Sequence, residues 1–190
     1  MTDRQPSEVT NLDRNGNPVL PWSRPHDLLS SGPNGPLAGF FLGTVRPDGR
    51  PHAAGIGAVW HDGDLYFTSG PGTRKARNLA SNPACTIAVK FPGLDLTLEG
   101  EAAKATDPAT LEQVASIYRD IGWPAEVADD AFTAPYSAPS AGPPPWHLYR
   151  FTFHTAVGLS TTEPNGATRW RFGAQGPKSK STSGSSPGQK

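Results

Sequence analysis

The stretch DLYFTSGPGTRKARNLASNPACTIAV, residues 64–89, predicts a strand, a basic turn, a short helix and a second strand. Residues 65–69 are aromatic and rich in hydroxyls, a composition typical of a strand, and the Gly-Pro-Gly that follows ends it. From Thr73 the apolar residues recur at helical spacing, so Thr73 is the predicted N-cap of a helix that ends at Asn82. The apolar residues 84–89 then favour the next strand.

Three basic residues stand at the start of this predicted helix. A helix N-terminus presents free backbone N–H groups and a partial positive charge, which suit a phosphate. Cations at this end oppose the helix dipole, and a bound anion would explain their presence. The alternative is a solvated helix start with an ordinary cap. On the first hypothesis the candidate phosphate-binding residues are Thr68, Ser69, Thr73, Arg74, Lys75 and Arg77.

Strand signals are dense on both sides of this unit. Strands are predicted over residues 38–45, 51–60, 65–69, 84–89, 94–105, 146–159 and 167–172. Asp107 is the predicted cap of a second helix, whose apolar face carries Leu111, Val114, Ala115, Ile117 and Tyr118. Because the chain has 21 glycines and 21 prolines, long helices should be few. The sequence therefore predicts a mainly β fold, a β-rich α+β class, whose antiparallel strands form a closed or half-closed barrel.

The two ends of the chain differ in composition from this core. Residues 1–36 carry six prolines among isolated apolar residues and predict an extended N-terminal arm. Its apolar side chains should dock on the outside of the barrel or on a partner subunit. Residues 37–173 form the predicted barrel domain. Residues 174–190 contain no large apolar side chain and predict a disordered tail.

Charge and cysteine content exclude several classes of function. With 17 Lys+Arg against 17 Asp+Glu, the chain has no global field that would concentrate nucleic acid or an anionic membrane surface. One cysteine, Cys85, excludes an intrachain disulfide and C-x-x-C sites, and the scattered histidines show no metal-ligand spacing. The polar N-terminus is no signal peptide, and no apolar run approaches the roughly 20 residues that span a bilayer. A cytoplasmic protein without bound metal is expected.

Residues 64–88 resemble the pyridoxamine 5′-phosphate oxidase-like superfamily of FMN-binding split β-barrels. Its members carry a strand that ends in an aromatic residue and Thr, a Ser/Thr-Arg-Lys turn, and a helix that closes in Asn-Pro. The resemblance covers residues 37–106 and implies a six-stranded antiparallel split β-barrel that binds a cofactor at the interface of a homodimer. It also implies that Arg74 and Lys75 contact the cofactor phosphate, and that Thr68 and Ser69 lie near the phosphate and ribityl chain.

The chain departs from the oxidases themselves at residues 53–60. The oxidases have basic residues on this strand, whereas here it is uncharged. The pattern is more similar to the flavin/deazaflavin-dependent oxidoreductase branch, which implies FMN or coenzyme F420 and hydride transfer to or from a small conjugated substrate. Gly55 and Gly57 would let the backbone approach the cofactor ring closely. The alternative is a non-catalytic carrier of flavin, haem or another tetrapyrrole, and a true pyridoxamine 5′-phosphate oxidase is less favoured.

Two further features are candidate parts of the site. The long loop that leads to Trp146 and contains Tyr136 is either a lid or pocket wall, or a rigid proline-rich crossing at the surface or dimer contact. On the last strand, alternation puts Arg169 and Arg171 on one face, where they could meet the anionic part of a ligand. The alternative for this pair is a solvated strand edge. No catalytic acid, base or nucleophile is identified.

Overall fold

The computed structural model describes residues 4–31 and 39–173, which form eleven strands and three helices. The strands are β1 (Glu8–Asn11), β2 (Gly39–Val45), β3 (Pro51–Ile56), β4 (Ala58–His61), β5 (Asp64–Ser69), β6 (Ala84–Phe91), β7 (Leu94–Lys104), β8 (Glu126–Ala128), β9 (Ala131–Thr133), β10 (Trp146–Ser160) and β11 (Ala167–Arg171). The helices are α1 (Ser23–Ser30), α2 (Arg74–Ser81) and α3 (Pro108–Asp120). None of these three helices has the length and apolar character needed to cross a membrane.

All strand pairs in the described residues are antiparallel, and their order brings the sheet back onto itself. The main path runs β1-β11-β10-β7-β6-β2-β3, while β5 pairs with both β4 and β10. Gly57 alone separates β3 from β4, so the chain of neighbours that leaves β10 through β7 returns to it through β5. The predicted mainly β class is confirmed. The single strand predicted over residues 51–60 is instead broken at Gly57, where the chain leaves one pairing partner for another.

Strand β10 is the centre of the sheet, because it pairs with β5, β7, β9 and β11. Its register against β7 shifts between Phe153 and Thr155, so His154 is an extra, bulged residue. A bulge bends a strand and increases its twist. Opposite this bend lies Gly100, where an added Cβ would come within 2.6 Å of Phe153 Cα and would also collide with the carbonyl group of Thr152. The bend therefore requires a residue without a side chain.

Two apolar clusters stabilise the sheet. The larger one fills the inside of the strand ring, with Leu42, Phe67, Ile87, Leu98 and Phe151 fully buried. The smaller one lies under α3, where the helix residues predicted from apolar spacing pack against neighbouring strands, namely Leu111, Val114, Ala115 and Tyr118 against Phe132 and Leu148. Asp107 caps this helix as predicted, since its carboxylate accepts a hydrogen bond from Thr110 N at 2.9 Å.

The stretch predicted as an extended arm contains both β1 and α1 in its described part. Strand β1 pairs with β11 along its whole length. The segment around α1 docks on the protein's own core, because Leu20, Trp22 and Leu29 are buried there. The Trp22 ring lies 4.8 Å from the Phe172 ring in an edge-to-face contact. The beginning of the first predicted strand and the whole predicted tail, residues 174–190, lie outside the described residues.

A buried ion cluster anchors the N-terminal segment. Asp64, at the start of β5, is fully buried. Its carboxylate accepts a hydrogen bond from Arg150 Nε at 2.6 Å and lies 3.5 Å from Arg4 Nη1. The Arg4 guanidinium also stands 4.6 Å from the centre of the Phe153 ring, and burial lowers its pKa. These contacts hold Arg4 beside β10, the strand at the centre of the sheet.

We expect Gly100→Ala to lower the free energy of unfolding by about 3 kcal/mol, because the new methyl group meets backbone atoms that cannot move aside. The matched control is Gly55→Ala, since a Cβ at Gly55 meets no atom within 4 Å. That variant should stay within about 0.5 kcal/mol of the wild type. Urea unfolding followed by circular dichroism measures both, and equal effects of the two substitutions would contradict this account of the bend.

Candidate functional site

A cavity of about 450 Å³ opens beside the first turn of α2. It lies between the junction of β3 and β4, the end of β5, the end of α3, and the loop that leads into β10. Its lining residues are Gly55, Ile56, Gly57, Thr68, Ser69, Lys75, Tyr118, Ile121, Trp123, Tyr136, Ala138, Pro139, Ser140, Ala141 and Trp146. These include no carboxylate, imidazole or thiol, so the described wall carries no negative charge.

The turn between β5 and α2 is held by its own hydroxyl groups. Ser69 Oγ and Thr73 Oγ1 share a hydrogen bond of 2.7 Å, and Thr73 Oγ1 lies 2.9 Å from Gly70 O. Thr73 also caps α2, because its Oγ1 accepts a hydrogen bond from Ala76 N at 3.3 Å, which confirms the predicted start of the helix. The turn is therefore fixed by contacts within the chain, with Thr68 and Ser69 on the cavity wall.

Lys75 supplies the positive charge of the cavity wall. Its residue surface is only 9 % exposed, and within the described residues it makes no hydrogen bond or ion pair. Burial lowers its pKa, and no neighbouring carboxylate opposes that shift. Partial desolvation of an ammonium group without a counter-charge is unfavourable. An anionic group in the cavity would compensate it, which makes Lys75 the clearest sign of a ligand.

Arg74 and Arg77 are exposed on the same helix and do not line the cavity. The Arg77 side chain folds back, and its Nη1 donates a hydrogen bond to Gly72 O at 2.6 Å. Arg77 therefore braces the Gly-Pro-Gly bend. The positive charge of Arg74 contributes to lowering the pKa of His52.

Part of the cavity wall is backbone without side chains, at Gly55 and Gly57. An added Cβ at Gly55 or at Gly57 would meet no protein atom within 4 Å, so packing within the described chain does not require glycine at either position. A flat ring lying on this backbone would require it. The carbonyl of Gly57 accepts a hydrogen bond from Tyr118 Oη at 3.0 Å, which fixes this wall to α3. Burial raises the pKa of Tyr118, so its hydroxyl stays protonated and remains a donor.

The remaining wall is aromatic. Trp146 is buried at the start of β10, and its ring lies 5.8 Å from that of Trp123 and 6.1 Å from that of Tyr136. The loop that carries Tyr136 packs directly on the turn between β5 and α2, because a Cβ at Gly70 would come within 2.5 Å of Ala141 O. The loop predicted as either a pocket wall or a surface crossing thus lines the cavity from Tyr136 to Ala141.

The structure brings most, but not all, of the predicted site residues together. Six of them line the cavity, namely Gly55, Gly57, Thr68, Ser69, Lys75 and Trp146. Arg169 and Arg171 lie on β11 and do not line it. They face β1 instead, where Arg171 Nη1 lies 3.5 Å from Glu8 Oε2 and Arg169 Nη2 lies 3.4 Å from Thr10 Oγ1. The two arginine side chains therefore contact polar side chains of β1, which covers this edge of the sheet.

Sequence reasoning did not assign three lining side chains at the end of α3. Tyr118 was recognised only as part of an apolar helix face, and Ile121 and Trp123 carried no local signal. In the described residues no three His, Cys, Asp or Glu side chains come together in a way that could hold a metal. A bare backbone, an unpaired buried cation and an aromatic wall together fit a flat ligand with an anionic group.

Both a family model and several solved structures match this chain. The family model "Pyridoxamine 5′-phosphate oxidase" matches residues 38–159. A conserved hypothetical protein, Rv2991 from Mycobacterium tuberculosis, has 16% identity and a TM-score of 0.56, with 78% of this chain and 89% of that chain covered. A FAD-binding protein from Mesorhizobium loti has 17% identity and a TM-score of 0.50, with coverage of 79% and 94%. An F420 reductase has 22% identity and a TM-score of 0.49, with coverage of 68% and 94%.

No curated protein matches the chain. At these identities the solved structures establish the fold alone, in agreement with the antiparallel sheet described above. The family model spans the strands β2 to β7, both helices that border the cavity, and most of β10. Because this match covers more than half of the sequence, the chain belongs to the pyridoxamine 5′-phosphate oxidase-like split-barrel family.

Proposed function

We propose that the protein is a cytoplasmic oxidoreductase that binds FMN or coenzyme F420 in this cavity and transfers a hydride to or from a small conjugated substrate. Family membership supports a flavin-related function, and one structural neighbour is described as a FAD-binding protein. The observation that carries the proposal is the unpaired, nine-tenths buried Lys75 on the wall of a cavity without negative charge.

The cofactor phosphate would lie at the start of α2. There the ammonium group of Lys75 faces the cavity, and the hydroxyl-rich end of β5 lies next to it. The charge of Lys75 and the positive end of the helix act on the same point, so an anion gains from both. Ser69 and Thr73 contribute mainly by holding the turn in shape, because they already bond to each other.

The cofactor ring would lie along Gly55 and Gly57 and face the aromatic wall. Trp123, Tyr136 and Trp146 would exclude water from the reacting face. When bound, a flavin or deazaflavin supplies the hydride chemistry itself, and the protein supplies binding and orientation. This division explains why the described cavity wall contains no carboxylate or imidazole that could act as a general base.

We also propose a homodimer. Strand β3 pairs with β2 alone among the described strands, so its outer edge is open beside the cavity. Phe41, opposite Gly55 on β2, is 58 % exposed. Nearby Val45 is also exposed. The open edge of β3 and the exposed apolar side chains on the neighbouring strand favour contact with a second protein surface, and a second copy of the chain would cover both.

A non-catalytic carrier is the second candidate. The absence of acid or base side chains from the described cavity wall fits a carrier as well as an enzyme. The behaviour of the bound cofactor distinguishes a carrier from an oxidoreductase. A carrier holds the cofactor without exchanging electrons, whereas an oxidoreductase must let a second molecule reach the ring.

We expect Lys75→Met to raise the Kd for FMN or coenzyme F420 at least tenfold, because one charge-assisted contact to the phosphate is lost. The same substitution should raise Tm, since it replaces an uncompensated buried cation with an apolar side chain of similar length. Fluorescence titration and thermal unfolding measure the two effects. The matched control is Lys90→Met on the exposed face of β6, which should change neither. Unchanged affinity in Lys75→Met would contradict the phosphate assignment.

Gly57→Val should weaken cofactor binding at least tenfold while Tm stays close to the wild-type value. The added side chain enters open space next to the backbone, where the ring would lie, and meets no protein atom at its Cβ. Ala53→Val, on β3 but outside the lining residues of this cavity, is the control. If Gly57→Val binds the cofactor as tightly as the wild type, the ring does not lie on this wall.

The choice between enzyme and carrier is tested with the cofactor-loaded protein. Bound cofactor is reduced under anaerobic conditions, a conjugated acceptor such as a quinone is added, and the absorbance of the oxidised cofactor is followed. We expect recovery whose rate rises with acceptor concentration. If none of a panel of flat acceptors restores the absorbance, the carrier is the better account.

A further inference from the structure

A second group of basic residues lies on the hairpin formed by β2 and β3, where His52 lines a different cavity, of about 660 Å³, from the one that Lys75 lines. In the antiparallel register Thr44 lies opposite His52, and Arg46 N donates to Arg50 O at 2.9 Å just beyond the last pair. Since alternate residues of a strand share a face, Arg46 follows Thr44 on the side that also carries His52. The hairpin thus presents Arg46 and His52 together.

This face of the hairpin is locked onto α2. Asn78 Nδ2 donates a hydrogen bond to Thr44 Oγ1 at 2.9 Å, and both residues are buried. Thr44 Oγ1 lies in turn 3.4 Å from His52 Nδ1. The first turn of α2, which carries Arg74 and Lys75, is therefore held beside the hairpin that carries the other two basic residues.

The charges that shift the pKa of His52 are all positive, although Glu99 lines the same cavity as His52. Burial and then the positive charges of Arg46, Arg74 and Lys75 lower the pKa of His52, and no carboxylate opposes these effects. None of the three permanent cations takes part in an ion pair with a described residue. Arg50, by contrast, lies on the same hairpin and pairs with Asp48 at 3.3 Å.

Arg46 adds an independent sign of a missing partner. Its Nε is enclosed by protein and has no hydrogen-bond acceptor among the described residues. A buried guanidinium N–H without an acceptor is unfavourable, and polar groups of this kind are normally satisfied. A nearby anion would attract the rest of this guanidinium and compensate the enclosed charge.

We propose that Arg46 and His52 belong to the anion site and hold, together with Arg74 and Lys75, the phosphate group of the bound cofactor. This inference rests on the proposed function and assigns two residues from a different part of the chain to its binding site. It also explains how a chain without charge on residues 53–60 can retain a phosphate, because the hairpin supplies cations from just before that stretch.

The test compares ligands with and without the phosphate. Fluorescence titrations measure Kd for FMN and riboflavin, and for coenzyme F420 and its phosphate-free chromophore. We expect Arg46→Ala to raise Kd for the phosphorylated ligand about tenfold and to leave that for the phosphate-free partner within twofold. The matched control is Arg50→Ala, which removes the same charge from the same hairpin and should leave both unchanged. Thermal unfolding confirms that each variant folds.

His52 gives a second readout that a purely structural role would not move. In the wild type, addition of the phosphorylated ligand should raise the pKa of His52, followed by NMR of its ring protons, because the anion offsets the surrounding positive charge. If Arg46→Ala weakens both members of a ligand pair equally, or neither, and the His52 pKa stays fixed, this inference is wrong and the Lys75 site can still stand. A wild-type protein that does not distinguish phosphorylated from phosphate-free ligands would contradict the proposed function and this inference together.

Discussion

The contact between Gly100 and the bend of β10 is the constraint on which the rest of the structure depends. Without a side chain at position 100, the backbone of β7 can approach the bulge at His154 closely enough for pairing to continue on both sides of it. The bend allows one strand to pair with β5 near its beginning and with β11 near its end. Both partners lie on the edge of β10 that faces away from β7, and the bulge at His154 separates the part of the strand that pairs with β5 from the part that pairs with β11.

The cavity is a consequence of this arrangement. Thr68 and Ser69 pair with Leu148 and His147 of β10, and Trp146 begins the same strand. One strand therefore sets the distance between the hydroxyl-rich turn and the aromatic wall. Gly57, on another part of the wall, is held separately by Tyr118 of α3. The site is thus built on rigid elements, with the loop from Tyr136 to Ala141 packed over it.

The positive charges of the site destabilise the free protein. Lys75 is buried without a partner among the described residues, and the hairpin adds Arg46, which likewise forms no ion pair there. Interactions of this kind are unfavourable in the free protein, and the anion that we propose would stabilise the fold when it binds. By contrast, Asp64, another buried charge in the described part of the chain, is fully enclosed and paired with arginines. The chain compensates its structural charges and leaves those of the cavity uncompensated.

Local patterns in the sequence were enough to predict the turn, because the cap, the helix and the flanking strands are each decided by neighbouring residues. Thr73 and Asp107 cap their helices as predicted, and the mainly β class follows from the strand periodicity. The same reasoning could not reveal α1 and β1, since these short elements depend on distant partners such as Phe172 and the edge of β11.

Contacts between distant segments also explain why the sequence did not predict some features of the site. Trp123 joins the cavity only because α3 packs across β4, and nothing near it in the sequence indicates a ligand. Alternation correctly put Arg169 and Arg171 on one face of a strand, but it could not show that β1 would lie against them. Arg46 and His52 needed both the hairpin register and the position of α2 before their proximity to the basic turn was apparent.

A crystal structure of the protein with FMN or coenzyme F420 bound tests the central claim most directly. The account predicts that the cofactor phosphate contacts Lys75 Nζ at the start of α2 and that the ring lies along Gly55 and Gly57, facing the aromatic wall. A cofactor bound elsewhere on the molecule, or in this cavity with its phosphate away from Lys75, would contradict it.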